Sequence, residues 1–520
     1  MKHKEGFFVV IDAGTTGVRS MIFDTAGNSN SKAYEEYQLK TPGPGLAEQD
    51  PEDWWKAIVT TMKKALELAQ VDPSQIIGIG ITNQRATTTA VDSEGKALFP
   101  SIVWLDRRSP DILDFIRGKV GPEVVYRISG QFIDPTWSPV KILWLKQNYP
   151  EIFKKAYKFV LVHDWIYFKL TGNFITDWSN ASWSIIDINK REWSKELSKD
   201  LGIPLEKLPD LYPSGKVAGH LRHEAAQEIG LLEGTPVVTG GGDQQCASIG
   251  LGVISPGSVK ATTGTGTFIQ ACLDSPVLDP KRRLICSCHA VPGKWILEGT
   301  ILSTGIVYRW FRDHFASSEV ITAQSMNISP YELINSEAER AMPGCKGLIA
   351  LPYFMGAGSP SWNSNAKGVL FGLSLDHSKN ELARAILESN GYEIRRNIEI
   401  IEELGLQIKE IYVDGGGAQS GLWRQIQADI TGKDILFTGL AESTSLGAAI
   451  LAGVGTGVYK EVKDATDHMV KIKERRKPVL ENQEIYNRFY PLYVELYERL
   501  KPLFDKLVAL QDQTQEANLK

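Results

Sequence analysis

Residues 7–24 read FFVVIDAGTTGVRSMIFD. Phe7 to Asp12 is an unbroken apolar run that ends in an acid, the pattern of a buried strand. Ala13-Gly14-Thr15-Thr16-Gly17 is a run of small, turn-forming residues, and Val18 to Asp24 is a second strand. The stretch therefore predicts a β-hairpin that carries a carboxylate, Asp12, beside its turn. A second stretch has the same grammar. Gly257 to Thr262 leads into Thr263-Gly264-Thr265-Gly266 and then Thr267 to Cys272. Two such hairpins, roughly 250 residues apart, predict a duplicated domain.

Outward from the first hairpin, Asp50 and Pro51 open a helix over about 51–70. Trp54, Trp55, Ile58, Val59, Met62, Leu66 and Ala69 fall at its helical spacing. Ile76 to Thr82 is a buried-strand run. The alternation of strands and helices that follows predicts an α/β architecture. Ser255-Pro256-Gly257 is a turn signal and a boundary between halves. In the second half, Ser378 and Glu381 form a capping box that opens a long helix, stopped by Gly405. Strand Ile411 to Val413 then meets Asp414-Gly415-Gly416-Gly417, and a helix from about Ser420 to Thr431 ends at Gly432. Gln511 to Lys520 is polar and predicts a frayed tail. The domains expected are 1–254, 255–480 and a C-terminal helix with polar tail over 481–520.

Composition excludes several classes. In 520 residues, 57 Lys and Arg face 62 Asp and Glu, a net charge of −5. That mild acidity argues against a basic nucleic-acid surface. Hydrophobic content of 42% with 23% charged residues predicts a folded globular chain rather than a disordered one. The start, MKHKEGFF, lacks the apolar core of a signal peptide. The apolar run Ser443 to Tyr459 is short and broken by glycine, so no membrane span is expected. Five cysteines, an odd number, suit free thiols in a reducing, cytoplasmic compartment. Cys286-Ser287-Cys288-His289 has no second ligand pair and predicts no metal site.

No Gly-Lys pair is followed by Ser or Thr, and no G-x-G-x-x-G follows a strand. A nucleotide site must therefore use another geometry. The Gly/Thr turns offer one, because backbone N–H groups of a tight turn make a concave anion site and Thr hydroxyls add donors. Asp12 is placed to hold Mg²⁺, through water, since that ion keeps much of its hydration shell. Gly240-Gly241-Gly242-Asp243-Gln244-Gln245 follows the strand Pro236 to Thr239. Its glycines clear side chains from around one carboxylate, which could take a hydroxyl proton during phosphoryl transfer. Gly415-Gly416-Gly417-Ala418 lies between strand and helix, where glycine lets a flat ligand near the backbone and a helix N-terminus favours phosphate. Thr82-Asn83-Gln84-Arg85 and Trp104-Leu105-Asp106-Arg107-Arg108 put polar groups and an aromatic plane at strand ends, which suits a polyol. Arg107 and Arg108 are expected in structural ion pairs.

Taken together, these motifs resemble the FGGY family of carbohydrate kinases, over Val9 to about Tyr459. Ser138-Pro139-Val140-Lys141-Ile142-Leu143-Trp144-Leu145-Lys146-Gln147-Asn148 is similar to one family signature, with Thr136 departing from its opening residue. Gly368-Val369-Leu370-Phe371-Gly372-Leu373, with Glu381 to Glu388, is similar to the other. The resemblance implies two actin-like, ribonuclease-H-like domains with an interdomain cleft. The first would carry the sugar, the first phosphate turn and the catalytic acid, and the second the nucleotide. It implies ATP and Mg²⁺ as cofactors, with Asp12 and Asp243 near the metal and Asp243 as the base. Thr15, Thr16, Arg19, Gly264, Thr265, Gly266, Gly305, Arg309, Gly416, Gly417 and Ser420 would meet the nucleotide. Arg85, Trp104, Asp243 and Phe268 would hold the acceptor. Two positions depart from the glycerol-type pattern: Ala86 stands for an acid and Thr136 for a tyrosine. Losing a carboxylate and a phenol opens volume, so a pentulose or other four- to six-carbon sugar or polyol is expected rather than glycerol. Glycerol kinase and autoinducer-2 kinase are the alternatives within the family. The rival from another class is an actin- or heat-shock-chaperone-like ATPase that works as a binding protein. It gives no reason for the cluster Arg85, Trp104 and Asp243. The resemblance implies neither nucleic-acid nor membrane partners and allows a homodimer.

Overall fold

The computed structural model describes residues 6–518. The chain divides into two compact units. The first takes residues up to Ile254, then Cys272–Ile296 and Glu442–Lys471; the second takes Ser255–Ala271, Leu297–Ala441 and the chain from Ile472 onward. Each unit is thus discontinuous in sequence.

The first unit is built on the predicted hairpin. Phe7–Ala13 pairs antiparallel with Gly17–Asp24, which pairs antiparallel with Ser29–Glu36. On its other side Phe7–Ala13 runs parallel to Ile76–Asn83, which sets Asp12 opposite both Arg19 and Thr82. Pro236–Val238 joins Ile76–Asn83 in parallel, and Val217–His220 closes that edge antiparallel. Helix Pro51–Ala69 packs on the sheet through buried Trp54, Trp55, Ile58 and Met62. The Asp50 side chain accepts from the Glu52 N–H, satisfying one of the orphan donors of the first turn.

The second unit repeats this plan. Ser258–Thr263 pairs antiparallel with Thr267–Leu273 and parallel with Glu410–Asp414, so Thr262 faces Phe268 and Asp414. Asp434–Phe437 continues in parallel and Glu474–Arg476 closes the edge antiparallel. The hairpin, the two parallel strands beside it and the antiparallel edge strand follow the same order and sense as in the first unit. The duplication expected from two small-residue turns is therefore present in the topology.

The capping box forms as read. Ser378 accepts from the Asn380 N–H, Glu381 accepts from the Ser378 N–H, and the helix runs Lys379–Glu403. Gly405 follows at φ +97°, where glycine carries no Cβ penalty. The C-terminal helix Leu480–Asn518 docks on this helix through tyrosines. Tyr486 donates to Glu388 at 2.8 Å and accepts from Arg384 at 2.9 Å, and Tyr493 donates to Glu393 at 2.8 Å. The frayed tail expected over 511–520 is instead helix as far as Asn518; residues 519 and 520 lie outside the described residues. Low apolar content ended the sequence reading too early, because polar residues also continue a helix.

The apolar run at 443–459 becomes a core helix, Ser443–Gly455, packed in the first unit on Asp243–Leu251. Glycine makes this approach possible. A Cβ on Gly250 would sit 1.9 Å from the Ser443 carbonyl oxygen, and one on Gly447 1.9 Å from the Cys246 carbonyl oxygen. Among the described residues no helix is long and apolar enough to cross a membrane. Gly447→Val is expected to cost at least the roughly 1–3 kcal/mol of an overpacked core, because backbone must move. Gly118→Ala, where a Cβ meets nothing within 4 Å, should leave the thermal midpoint unchanged or higher. Thermal unfolding of the two variants checks this, and equal midpoints would refute the helix contact.

Candidate active site

The first unit gathers most of the predicted acceptor residues around one guanidinium. Arg85 lies just past the end of Ile76–Asn83, and Asp243 opens the helix Asp243–Leu251. Arg85 Nε is 3.4 Å from Asp243 Oδ1, and Arg85 Nη1 donates to Gln245 Oε1 at 3.4 Å. The guanidinium also lies 4.7 Å from the ring centroid of Trp183, a cation–π contact. Ala86, Trp183 and Ile285 form a small apolar cluster with Trp104 and Phe132 packed against it. Sequence reading had named Arg85, Ala86, Trp104 and Asp243. It missed Trp183, Gln245, Phe132 and Ile285, which lie up to roughly 200 positions from Arg85 and share no motif with it. Only Gln245, two places after Asp243 on the helix, carried a signal in sequence.

The glycine triplet owes its composition to packing. A Cβ on Gly240 would fall 1.5 Å from the Ile81 carbonyl oxygen, and one on Gly241 2.8 Å from the Ala290 Cβ. Gly241 and Gly242 pair with Thr82 and Asn83. The loop is held from behind by buried side chains. Gly240 N–H donates to His163 Nε2 at 3.3 Å, and Gly242 N–H donates to Ser179 Oγ at 3.1 Å. Asp177 accepts in turn from the Ser179 N–H and from Ser214 Oγ. The Asp243 carboxylate also sits in the first turn of its helix, where the backbone dipole favours negative charge.

Asp12 is buried beside this site. Arg19 Nη1 donates to its Oδ2 at 3.0 Å and also meets Glu442 at 3.0 Å. Burial lifts the Asp12 carboxyl to about 6; Arg19 opposes the rise, and the negative charges of Asp243 and Glu442 add to it. Thr15 and Thr16 occupy the turn next to Asp12. Thr15 Oγ1 accepts from Trp104 Nε1 at 2.9 Å, which ties the turn to the aromatic cluster, while Thr16 is exposed. Gln49 donates to the Thr15 carbonyl at 2.6 Å and accepts from Gln84 Nε2 at 2.8 Å.

Thr136 follows the same cluster through its loop. Ser138 Oγ donates to the Ala86 carbonyl at 3.4 Å. Buried Lys141 donates to the Pro135 and Thr136 carbonyls at 2.9 and 2.8 Å. Burial pulls its ammonium down to about 7, against the pull of Asp134 and Asp106. A neutral amine has two N–H donors, which these two carbonyls match. Arg108 is structural as expected, bonded to Asp106 at 2.7 and 2.8 Å and to Glu48 at 2.8 Å. Arg107 is exposed, and its side chain donates to the Asp106 carbonyl rather than to a carboxylate. Cys286 and Cys288 are buried, and burial pushes both thiols up to about 12. Among the described residues no group of three His, Cys, Asp or Glu could hold a metal directly.

The second unit carries the other predicted residues. Gly264, Thr265 and Gly416 are exposed. A Cβ on Gly264 or Gly416 would meet nothing within 4 Å. Their neighbours differ. A Cβ on Gly266 would lie 2.4 Å from the Ile301 oxygen, on Gly305 2.1 Å from the Gly264 oxygen, and on Gly417 2.6 Å from Thr263 Cγ2. The fold thus explains Gly266, Gly305 and Gly417 but not Gly264 and Gly416. Gly305 N–H donates to the Gly264 carbonyl at 3.1 Å, so this amide is spent on the turn. Arg309 is exposed on Gly305–Phe315. Ser420 caps Gly421–Thr431, accepting from the Trp423 N–H at 3.2 Å. Phe268 is half-buried on its strand, opposite Thr262.

Comparison with known proteins agrees with this layout. Residues 7–250 match the N-terminal domain of the FGGY family of carbohydrate kinases, and residues 259–456 match its C-terminal domain. Gluconokinase of Bacillus subtilis (strain 168) is 30% identical over 97% of this chain and 98% of its own length. A glycerol kinase of Saccharolobus islandicus (strain M.14.25 / Kamchatka #1) is 35% identical over 89% of this chain and 90% of its own. The crystal structure of ligand-bound xylulose kinase from Lactobacillus acidophilus superposes with a TM-score of 0.89 at 26% identity, covering 96% of this chain and 99% of that one.

The Lys141 contact generates a pH prediction. Unfolded, this amine keeps its proton to about pH 10; folded, it gives it up near pH 7. Between those values the unfolded chain binds more protons, so the site's stability rises with pH. Stability of the wild type relative to Lys141→Met should climb from pH 7 to about 9.5, by at most about 1.4 kcal/mol per pH unit. Denaturant titrations across that range measure it, and a flat difference would exclude a depressed Lys141.

Proposed function

Because the chain belongs to the FGGY family of carbohydrate kinases, we propose that it transfers the terminal phosphoryl group of ATP to a hydroxyl of a four- to six-carbon sugar or polyol. Its fold is the mixed α/β, actin-like and ribonuclease-H-like pair of domains of that family. The observation that carries the reading is the meeting of Arg85, Asp243 and an aromatic cluster around Ala86. An ATPase that only binds partners needs no such pocket.

In this reading Asp243 accepts the proton of the attacking hydroxyl. Its cradle of hydrogen-bonded glycines fixes where that oxygen must sit, which is most of what phosphoryl transfer asks of a protein. Arg85 holds the acid from one side, and Trp104 with Phe132 offers faces for C–H edges. Ala86 is fully buried and lacks the carboxylate expected of a glycerol-type site. That favours a longer substrate than glycerol.

The residues present fit a divalent cation. Asp12, Asp243 and Glu442 place negative charge together, and Asp12 is raised to about 6 by burial first and then, against Arg19, by that charge. Asp12 and Asp243 would hold Mg²⁺ through water, since the described residues offer no direct three-ligand set. Bound there, the ion would neutralise charge on the phosphates. The nucleotide fits the second unit by a similar test. Gly264 and Gly416 leave open space that a Cβ would fill. The family resemblance implies Thr265, Gly266, Gly305, Arg309, Gly417 and Ser420 of the second unit and Thr15, Thr16 and Arg19 of the first as further nucleotide residues, and Phe268 and Thr136 as acceptor residues. The buried free cysteines suit a cytoplasmic setting.

Two results are expected. Asp243→Asn should lower kcat by roughly 10²–10⁴ while ATP still binds. Near-wild-type turnover would make Asp243 structural. Gly416→Val should fold normally, because its side chain has room, and should raise KM for ATP far more than KM for the sugar. An equal rise in both constants would count against a nucleotide role at this turn.

A further inference from the structure

Thr15, Gln49, Gln84, Thr87 and Trp104, all of the first unit, close a ring of hydrogen bonds. Trp104 Nε1 donates to Thr15 Oγ1 at 2.9 Å, and the Trp104 backbone N–H donates to Thr87 Oγ1 at 3.3 Å. Thr87 Oγ1 donates to Gln84 Oε1 at 3.1 Å, Gln84 Nε2 to Gln49 Oε1 at 2.8 Å, and Gln49 Nε2 to the Thr15 carbonyl at 2.6 Å. The direction of each bond is forced. The Thr15 carbonyl can only accept, and the Trp54 indole N–H, 3.2 Å from Gln49 Oε1, can only donate, so the Gln49 amide has one orientation. Gln84 must then turn its nitrogen to Gln49, and its oxygen takes the Thr87 proton. Gln49, Gln84 and Thr87 are buried, where a reversed or broken link would leave polar groups without partners. At the other end the Thr15 hydroxyl accepts from the indole, which leaves its own proton for a further acceptor. Thr15 belongs to the turn beside Asp12, and Trp104 packs against the apolar cluster at Ala86. The two glutamines thus tie that turn to that cluster.

We propose that Gln49 and Gln84 are positioning residues for phosphoryl transfer. They hold the Thr15 turn and the Trp104 indole in one fixed relation, with the Thr15 proton offered to a phosphate oxygen and the indole face to the acceptor. A phosphate that draws on the Thr15 hydroxyl and an acceptor that seats against Trp104 then order the same ring. Each ligand lowers the cost of binding the other. The inference rests on the kinase reading and adds to it two residues that act through Thr15 and Trp104.

The test is an initial-rate matrix on the full chain, Mg-ATP against glycerol, gluconate and xylulose in turn, followed by ADP release. For the best acceptor of the three, the matrix gives the dissociation constant of ATP without acceptor and at saturating acceptor. The wild type should bind ATP about fivefold or more tightly when acceptor is present. Gln84→Met and Gln49→Met should each raise KM for ATP and for the acceptor together and bring that factor close to one. Thr87→Val keeps the side-chain volume, opens the ring at the next link and should do the same; it carries the test if neither glutamine variant folds. Residues that only stabilised the fold would lower the thermal midpoint and leave the factor as it was. A wild-type factor of one, or a factor unchanged in the variants that fold, overturns the proposal while leaving the kinase reading intact. No ADP release with any of the three compounds overturns the kinase reading and the proposal with it.

Discussion

The Ile81 carbonyl decides where Asp243 stands. It belongs to the strand Ile76–Asn83, flanked in parallel by Phe7–Ala13 and Pro236–Val238. Gly240 lies so close that a Cβ would fall 1.5 Å from that oxygen. Nothing but glycine can occupy the place without moving the sheet. The loop is consequently drawn onto the strand end, where Gly241 and Gly242 pair with Thr82 and Asn83. Asp243 then leaves the loop as the first residue of a helix whose own position is fixed by glycine contacts with Ser443–Gly455. His163 and Ser179 complete the fixation from behind.

Charge is distributed to match. Asp12 and Asp243 each have an arginine beside them, Arg19 and Arg85. Arg19 is shared with a second carboxylate, Glu442, while Arg85 also donates to the Gln245 amide oxygen. Burial with incomplete neutralisation is what raises Asp12. In the proposed reading, a cation bound there through water would relieve that electrostatic cost.

The glycines do two kinds of work. Gly240, Gly250 and Gly447 are demanded by backbone oxygens within 2 Å of a Cβ, and they build the scaffold. Gly264 and Gly416 face open space, and the fold gives no reason for them. A glycine that packing does not require is a better pointer to a ligand than one buried in a turn. The triplet at 415–417 contains both kinds, since Gly417 abuts Thr263.

The sequence by itself determined both hairpins, the parallel strands beside them, the capped helices and the acids Asp12 and Asp243. Each of these is written in a local pattern: an apolar run, a small-residue turn, a capping box, a glycine-flanked acid. The duplicated plan was legible from two turns alone because strand–turn–strand grammar is short-range. Only the tertiary structure decided the surroundings of Asp243. Trp183, Phe132 and Ile285 reach Arg85 and Ala86 through folding over long separations, and no spacing rule connects them. The same holds for Glu442, which returns to the first unit after most of the second has been traversed. Which glycines serve packing and which leave room was likewise invisible, because a glycine has no side chain and its meaning lies in what stands opposite. The helical end of the chain was misjudged for a related reason. Polarity marks exposure, but tyrosines as far along as Tyr493, bonded to buried glutamates, anchor a helix that then runs on to Asn518.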